Sequence, residues 1–310
     1  MQVLLLLILA LASPDDTLQA RMIEARTYAE AGKTDEAIAA AKRALAVEDA
    51  PEVHAFLCQL YVSKKDFPNA AGECHEVVKA RPYDEEAHFR LAQVYLLQQD
   101  FKGALEVLLA SRKVFDRSAQ IELALGVTYY GLRQFDKAVD QFLRTIALAP
   151  EVPQPYVFLG RTLEHAGDRL PEITSRFEDY QRRNPDNALA CVLYAKALIS
   201  QLPPTGEAPE ADKAYALLDK ALKLNDEQAE AHYLMGVLLE RKGDFEAARV
   251  QLERSIQLNP NDAAPHFRLA RVYVKLGRKE DAEQQRAIHE KLSEQEGAAP
   301  LPGDARSPTR

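Results

Sequence analysis

The chain has 310 residues, 47% of them apolar, and its 47 acidic side chains outnumber 39 basic ones to leave a formal net charge of −8. This balance argues against sequence-independent binding to nucleic acid, which needs a basic footprint. Three cysteines are an odd number and too few for a disulfide scaffold.

The first element is an apolar leader, Val3 to Ala12 (VLLLLILALA). It is too short to serve as a transmembrane anchor, which needs roughly 17 or more residues. Its length suits the core of a secretory signal peptide covering residues 1–12, and Ala10-Leu11-Ala12 offers a small-x-small cleavage pattern that makes Ser13 the mature start. The expected location is therefore exported, periplasmic or secreted. The alternative is a cytoplasmic chain whose leader packs on the first repeat.

From Leu18 onward the chain repeats itself. The string HFRLAQVY at His88 to Tyr95 returns as HFRLARVY at His266 to Tyr273, and weaker copies recur about every 34 residues. Eight units start near Leu18, Pro51, Glu85, Ala119, Pro153, Ala188, Ala229 and Ala263. Within each unit the apolar residues fall at helical spacing on two successive segments, which predicts two antiparallel amphipathic helices. A small residue in the first segment (Ala25, Cys58, Ala92, Gly126, Gly160, Ala195, Gly236, Ala270) is expected to let the second helix approach. Gly32, Gly167, Gly243 and Gly277 fall just past the first segment, where a left-handed residue costs least without a Cβ. Pro82, Pro150, Pro185 and Pro260 close second segments, whereas Pro68, Pro171 and Pro265 fit a first helical turn, where no donor is lost.

Three units depart from this regularity, the third by lacking the closing proline. The fifth carries Ile173 where Ala is usual, plus one extra residue, and the sixth carries an insertion at 201–209 (QLPPTGEAP) between its two segments. This insertion reads either as a surface loop or as a partner-contacting one. After the eighth unit, residues 297–310 lack periodicity and large apolar groups, and a disordered tail is expected there.

The potentially reactive side chains follow the same phase. His54, His88, His232 and His266 all occupy the bulky position at the start of a first segment, as do Glu122, Tyr156 and Cys191. Spread along an array, these histidines are expected to pack helices rather than converge on a metal. Cys58 and Cys74 stand at the small position of one segment and the bulky position of the next, so two readings are open. Either a Cys58–Cys74 disulfide clamps the second unit of an exported chain, or both are reduced and behave as small apolar groups, as Cys191 does. No H-E-x-x-H, phosphate-binding glycine loop or G-x-S-x-G elbow is present, so no catalytic, cofactor or metal site is expected.

The recurring pattern is that of a known repeat. His232, Met235-Gly236, Leu239, Ala248 and Pro260 in the seventh unit, and Leu125-Gly126, Tyr129, Ala138, Phe142 and Pro150 in the fourth, resemble the tetratricopeptide repeat, W-x2-L-G-x2-Y, then A-x3-F, then P. The resemblance covers roughly residues 18 to 294 and implies an all-α fold, a right-handed α-solenoid of about eight helix-turn-helix units. It further implies that the first helices line an inner groove for a peptide or a partner helix. Side chains one turn apart on that wall supply the candidates Arg26, Phe89, Gln93, Arg161, Lys196, Tyr233, Phe267 and Arg271, with Arg90 and Arg268 adding to them. This column holds cations, amides and apolar groups but no acid, so it is expected to take a protein or peptide ligand with carboxylates and apolar anchors. The chaperone-tail receptors of the family carry Asn at this wall, and here no first segment has one in its interior. The expected function is a noncatalytic interaction scaffold or adaptor, or else a regulatory or targeting subunit of a separate enzyme such as a glycosyltransferase or peptidase. The oligomeric state is left open.

Overall fold

A computed structural model of the chain describes residues 17–203 and 208–298. The expected leader and Ser13 lie outside the described residues, as do residues 204–207 of the insertion and residues 299–310 of the tail.

Among the described residues there are sixteen α-helices and no strand. The first repeat comprises α1 (Leu18–Glu30) and α2 (Thr34–Val47), the second α3 (Pro51–Ser63) and α4 (Phe67–Ala80), and the third α5 (Glu85–Leu97) and α6 (Phe101–Val114). The fourth comprises α7 (Ala119–Gly131) and α8 (Phe135–Leu148), the fifth α9 (Gln154–Thr162) and α10 (Leu170–Arg183), and the sixth α11 (Ala188–Ser200) and α12 (Pro209–Leu224). The seventh has α13 (Ala229–Lys242) and α14 (Phe245–Leu258), and the eighth α15 (Ala263–Lys275) and α16 (Lys279–Ala298). The last helix continues two residues into the segment expected to be disordered.

Local chemistry starts and stops these helices. Asp66, Asp84, Asp100, Ser118, Asn187 and Asp244 each accept a backbone N–H from the first turn they precede, which satisfies one of the donors a helix start leaves open. Gly32, Gly167, Gly243 and Gly277 adopt positive φ at the hairpin turns, as their positions predict. In the second, third and fourth repeats the same left-handed place is taken by Lys65, Gln99 and Arg133.

The described chain divides into two compact units, α1–α7 up to Arg133 and α8–α16 from Gln134. In the first, the core is made largely of alanines, Ala25, Ala37, Ala40, Ala41 and Ala44, set against Val53, Leu57 and Leu91. Alanine lets α1 and α2 approach closely and lose no side-chain entropy in doing so. In the second, Phe142, Tyr156 and Phe177 are among the largest fully buried side chains. Burying a side chain of that class contributes about 1.5–3 kcal/mol. Within the second unit α9, α11, α13 and α15 touch in succession, whereas no comparably close run links α10, α12, α14 and α16. The first helices therefore lie on the tighter side of that stack.

The small positions are buried throughout, but they do not all serve the same neighbour. A Cβ on Gly236 would stand 2.7 Å from the Leu252 side chain of α14, the partner helix of its own hairpin. A Cβ on Gly160 would instead stand 2.8 Å from Leu193 of α11, in the following repeat. The expectation that the small residue always admits the second helix is thus corrected for the fifth repeat. That repeat departs further. Its first helix has nine residues where the others have thirteen or fourteen, and it gives way to two 3-10 turns, Leu163–His165 and Gly167–Arg169, closed by Ala166 N–H to Leu163 O and Arg169 N–H to Ala166 O. Tightening to i→i+3 bonds changes the rise and rotation per residue, which accommodates the extra residue of this repeat.

Candidate functional site

The bulky position of the first helix does more than fill space. His88 Nε2 donates to Pro82 O at 3.1 Å, Tyr156 Oη to Pro150 O at 2.8 Å, and His232 Nε2 to Asp226 O at 3.0 Å. Cys191 Sγ lies 3.9 Å from Pro185 O in the same relation. In each case the side chain pins a carbonyl six residues back, in the turn that joins one repeat to the next. Nδ1 meets the second helix, at Ser111 for His88, Gln251 for His232 and Gln285 for His266, whose Nε2 is buried and reaches no carbonyl among the described residues. These residues were expected as packing groups, and the structure adds a hydrogen-bonding role. Their spacing from an inter-repeat turn is the signal that shows it.

Two repeats fill this position with charge. His54 sits between two carboxylates, with Nδ1 2.6 Å from Glu73 and Nε2 2.7 Å from Asp49. Burial pulls its pKa down, but the hydrogen bonds to Glu73 and Asp49 outweigh that and leave it raised. Glu122 is fully buried, with Arg112 Nη1 3.9 Å from its carboxylate. Close to His54, Cys58 and Cys74 are joined Sγ to Sγ with their Cα atoms 5.5 Å apart, a separation that a disulfide spans without moving the backbone. Cys191 is a buried free thiol, and burial pushes its pKa up. Among the described residues no group of three His, Cys, Asp or Glu side chains is placed to hold a metal ion, and no helix is long and apolar enough to cross a membrane.

The sequence-predicted wall residues divide between the units. In the first, Arg26 and Gln93 are exposed, Phe89 is half-buried, and Arg90 Nε donates to Glu86 at 2.9 Å one turn earlier on α5. In the second, Arg161 lies over the Phe158 ring at 5.4 Å, and Lys196 of α11 pairs with Glu230 of α13 at 2.7 Å. Tyr233 is half-buried. Arg268 and Arg271 of α15 reach the same carboxylate, Glu240 of α13, at 3.2 and 3.0 Å. The column positions themselves carry no acid. Glu86, Glu230 and Glu240 stand at other phases of the first helices, yet they reach the column cations along a helix or across to the next one.

What remains on α15 is a stripe of mixed character. Phe267 is 45% exposed and Val274 46% exposed, and Arg271 stands between them. Residues at i, i+4 and i+7 share one helix face. Val274 lies beyond the one-turn pair Phe267 and Arg271, and its spacing from Phe267 is the sequence signal of the shared face.

A further polar cluster ties three helices of the second unit. Tyr194 Oη donates to Glu178 at 2.7 Å, and Lys213 Nζ donates to Glu178 at 2.9 Å and also to Tyr194 Oη. Hydrogen bonds from Tyr194 and then Lys213 hold the Glu178 carboxyl below its ordinary pKa. On α15, burial and then the bond to Glu253 push Tyr273 up to about 12. These groups bridge neighbouring helices.

Comparison with known proteins follows the same pattern. Tetratricopeptide-repeat family models match residues 23–85, 57–118, 123–168 and 241–285. Anaphase-promoting complex subunit 3 of Schizosaccharomyces pombe is 21% identical over 209 residues, which is 66% of this chain and 30% of that protein. Cellulose synthase operon protein C of Xanthomonas axonopodis pv. citri is 29% identical over 232 residues, 67% of this chain and 14% of that one. The chain thus spans less than a third of the length of either relative. The crystal structure of a tetratricopeptide repeat protein from Parabacteroides merdae superposes with a TM-score of 0.56 at 12% identity, over 82% of this chain and 98% of that chain. That likeness shows the fold.

Proposed function

The chain belongs to the tetratricopeptide-repeat family, and from that premise we propose that it is a noncatalytic scaffold or adaptor that holds a peptide or partner protein on the wall formed by its first helices. Stacked repeats bury their apolar faces against one another and leave one side of the stack for recognition. The observation that carries this reading is the α15 stripe, where Phe267 and Val274 are large apolar side chains left exposed on one helix face with the exposed Arg271 between them. The polar clusters at His54 and at Glu178, Tyr194 and Lys213 join neighbouring helices to one another.

Export forms part of the proposal. Two features support it: the apolar leader, and a pair of cysteines whose geometry fits a disulfide, a bond that persists in oxidising compartments. Sequencing the N-terminus of the expressed protein tests this. A chain starting at Met1 argues against cleavage and export.

A second reading is a regulatory or targeting subunit of a separate enzyme, such as a glycosyltransferase or peptidase. A relative named as a cellulose synthase operon protein favours it. Co-purification with the full chain as bait, mass spectrometry of what is retained, and reconstitution from pure components separate the two. A retained enzyme whose activity changes on adding the chain supports the subunit reading, and a retained protein without activity supports the adaptor. Turnover of a substrate by the chain alone defeats both.

A further inference from the structure

We propose that the α13–α15 face of the second unit is a docking surface for an acidic peptide segment with apolar side chains, seated on Phe267 and Val274 and held by Arg271. The proposal rests on the scaffold reading above and gives it a place and a ligand chemistry.

Charge decides the occupant. The chain is acidic overall, with a net charge of −8, yet α15 (AAPHFRLARVYVK) carries Arg268, Arg271 and Lys275 and no acid. The one carboxylate that answers the two guanidinia is Glu240 of α13, whose side chain is only 8% exposed, whereas Arg271 is 53% exposed. A single anion shared by two cations leaves one positive charge in surplus. The geometry places that surplus outward, because the acid is sunk between the helices and Arg271 rises over it. Glu240 also orients the guanidinium, and a guanidinium has five N–H donors in a fixed fork, so bonding to one carboxylate leaves donors for another. Orientation before binding lowers the entropy lost on capture.

The apolar groups set the rest of the ligand. Phe267 and Val274 flank Arg271 at a spacing of two helical turns, which is about 10 Å along the axis. Tyr233 and Val237 of the adjoining α13 are half-buried and extend the apolar surface towards α15. A ligand that only neutralised Arg271 would leave Phe267 and Val274 in water. A purely apolar one would strip water from the guanidinium donors of Arg271 that Glu240 leaves open and give them nothing in return. An acidic residue flanked by large apolar ones satisfies both demands.

The test uses the full chain and fluorescence anisotropy with a labelled peptide of alternating Glu and Phe or Leu, and a second probe with Lys in place of Glu. The proposal expects the Glu probe to bind and the Lys probe not to bind. Arg271→Glu and Phe267→Ala should each weaken the Glu probe by about tenfold or more, whereas Lys79→Glu, on the exposed side of the second helix α4, should leave its affinity unchanged, circular dichroism showing every variant folded. No binding of the Glu probe, preference for the Lys probe, or an affinity in Arg271→Glu and Phe267→Ala unchanged from the wild type overturns the proposal. So does a self-associating chain that Phe267→Ala renders monomeric, which would assign the face to a second copy. Loss of the probe on Arg161→Glu but not on Arg271→Glu sinks this location and leaves the scaffold reading standing. That reading fails separately, if the chain alone turns over a substrate.

Discussion

Cys58 and Cys74 face one another across the α3–α4 hairpin with Cα atoms 5.5 Å apart and a sequence separation of 16 residues. A cross-link over a loop of that length stabilises by about 3 kcal/mol, chiefly by restricting the unfolded chain. The oxidised protein should therefore melt at a higher temperature than the same protein in dithiothreitol, and Cys58→Ala/Cys74→Ala should abolish the difference. In a repeat array stability is local, so hydrogen exchange on reduction should rise in α1–α6 and stay unchanged in α11–α16. A melting curve indifferent to reductant refutes this.

His54 links pH to the stability of the same hairpin. Its pKa in the folded chain is raised above its ordinary value, because the bonds to Glu73 and Asp49 outweigh burial. A raised folded pKa means that the contribution is full below the unfolded value, about 6.5, and is lost as pH rises through the folded value. The stability gap between the wild type and His54→Gln, measured by urea unfolding, should be widest near pH 5.5 and narrow towards pH 8.5. A gap that widens as the pH rises counts against the carboxylate clamp.

Two glycines predict opposite responses to one methyl group. Gly236→Ala drives a Cβ to 2.7 Å from Leu252, and overpacking of this kind costs about 1–3 kcal/mol. Gly72 lies exposed inside α4 with nothing within 4 Å of the same Cβ. There Ala should stabilise by about 0.5–1 kcal/mol through lower backbone entropy. Thermal denaturation of both variants checks the pair, and equal shifts of one sign would count against this packing.

The hairpin turns make a similar contrast. Lys65 holds φ +60° where the seventh repeat has Gly243 at φ +85°. A side chain in the left-handed region costs roughly 1–2 kcal/mol, partly offset by the greater freedom that glycine gives the unfolded chain. Lys65→Gly should therefore raise stability by up to about 1 kcal/mol and Gly243→Ala lower it by about 1–2 kcal/mol. Chemical denaturation showing Lys65→Gly to be destabilising would mean that the lysine side chain holds the turn by contacts worth more than the strain.

The array was legible because its grammar is local. Helix spacing of apolar residues, capping acids such as Asp66 and Asp244, turn glycines and closing prolines each act within a few residues of themselves, so a repeat of about 34 residues spells out its hairpin without reference to the rest of the chain. The small positions and the bulky ones were found in the same way. The fifth repeat read less well, since a single extra residue can be taken up as a loop or, as here, by tightening α9 into 3-10 turns, and local propensity does not choose between them.

The sequence alone determined that this protein is a stack of helical hairpins, which residues each hairpin buries and where each turn falls, because those choices are made between residues one or two helical turns apart. Tertiary structure decided which charges cancel. Glu240 meets Arg268 and Arg271 across 28 and 31 residues of chain, and Glu230 meets Lys196 across 34. Such pairings depend on the distance and rotation between successive helices, which composition and period do not encode. They answer Lys196, Arg268 and Arg271 with carboxylates of neighbouring helices, and on α15 they leave Arg271 half exposed between Phe267 and Val274.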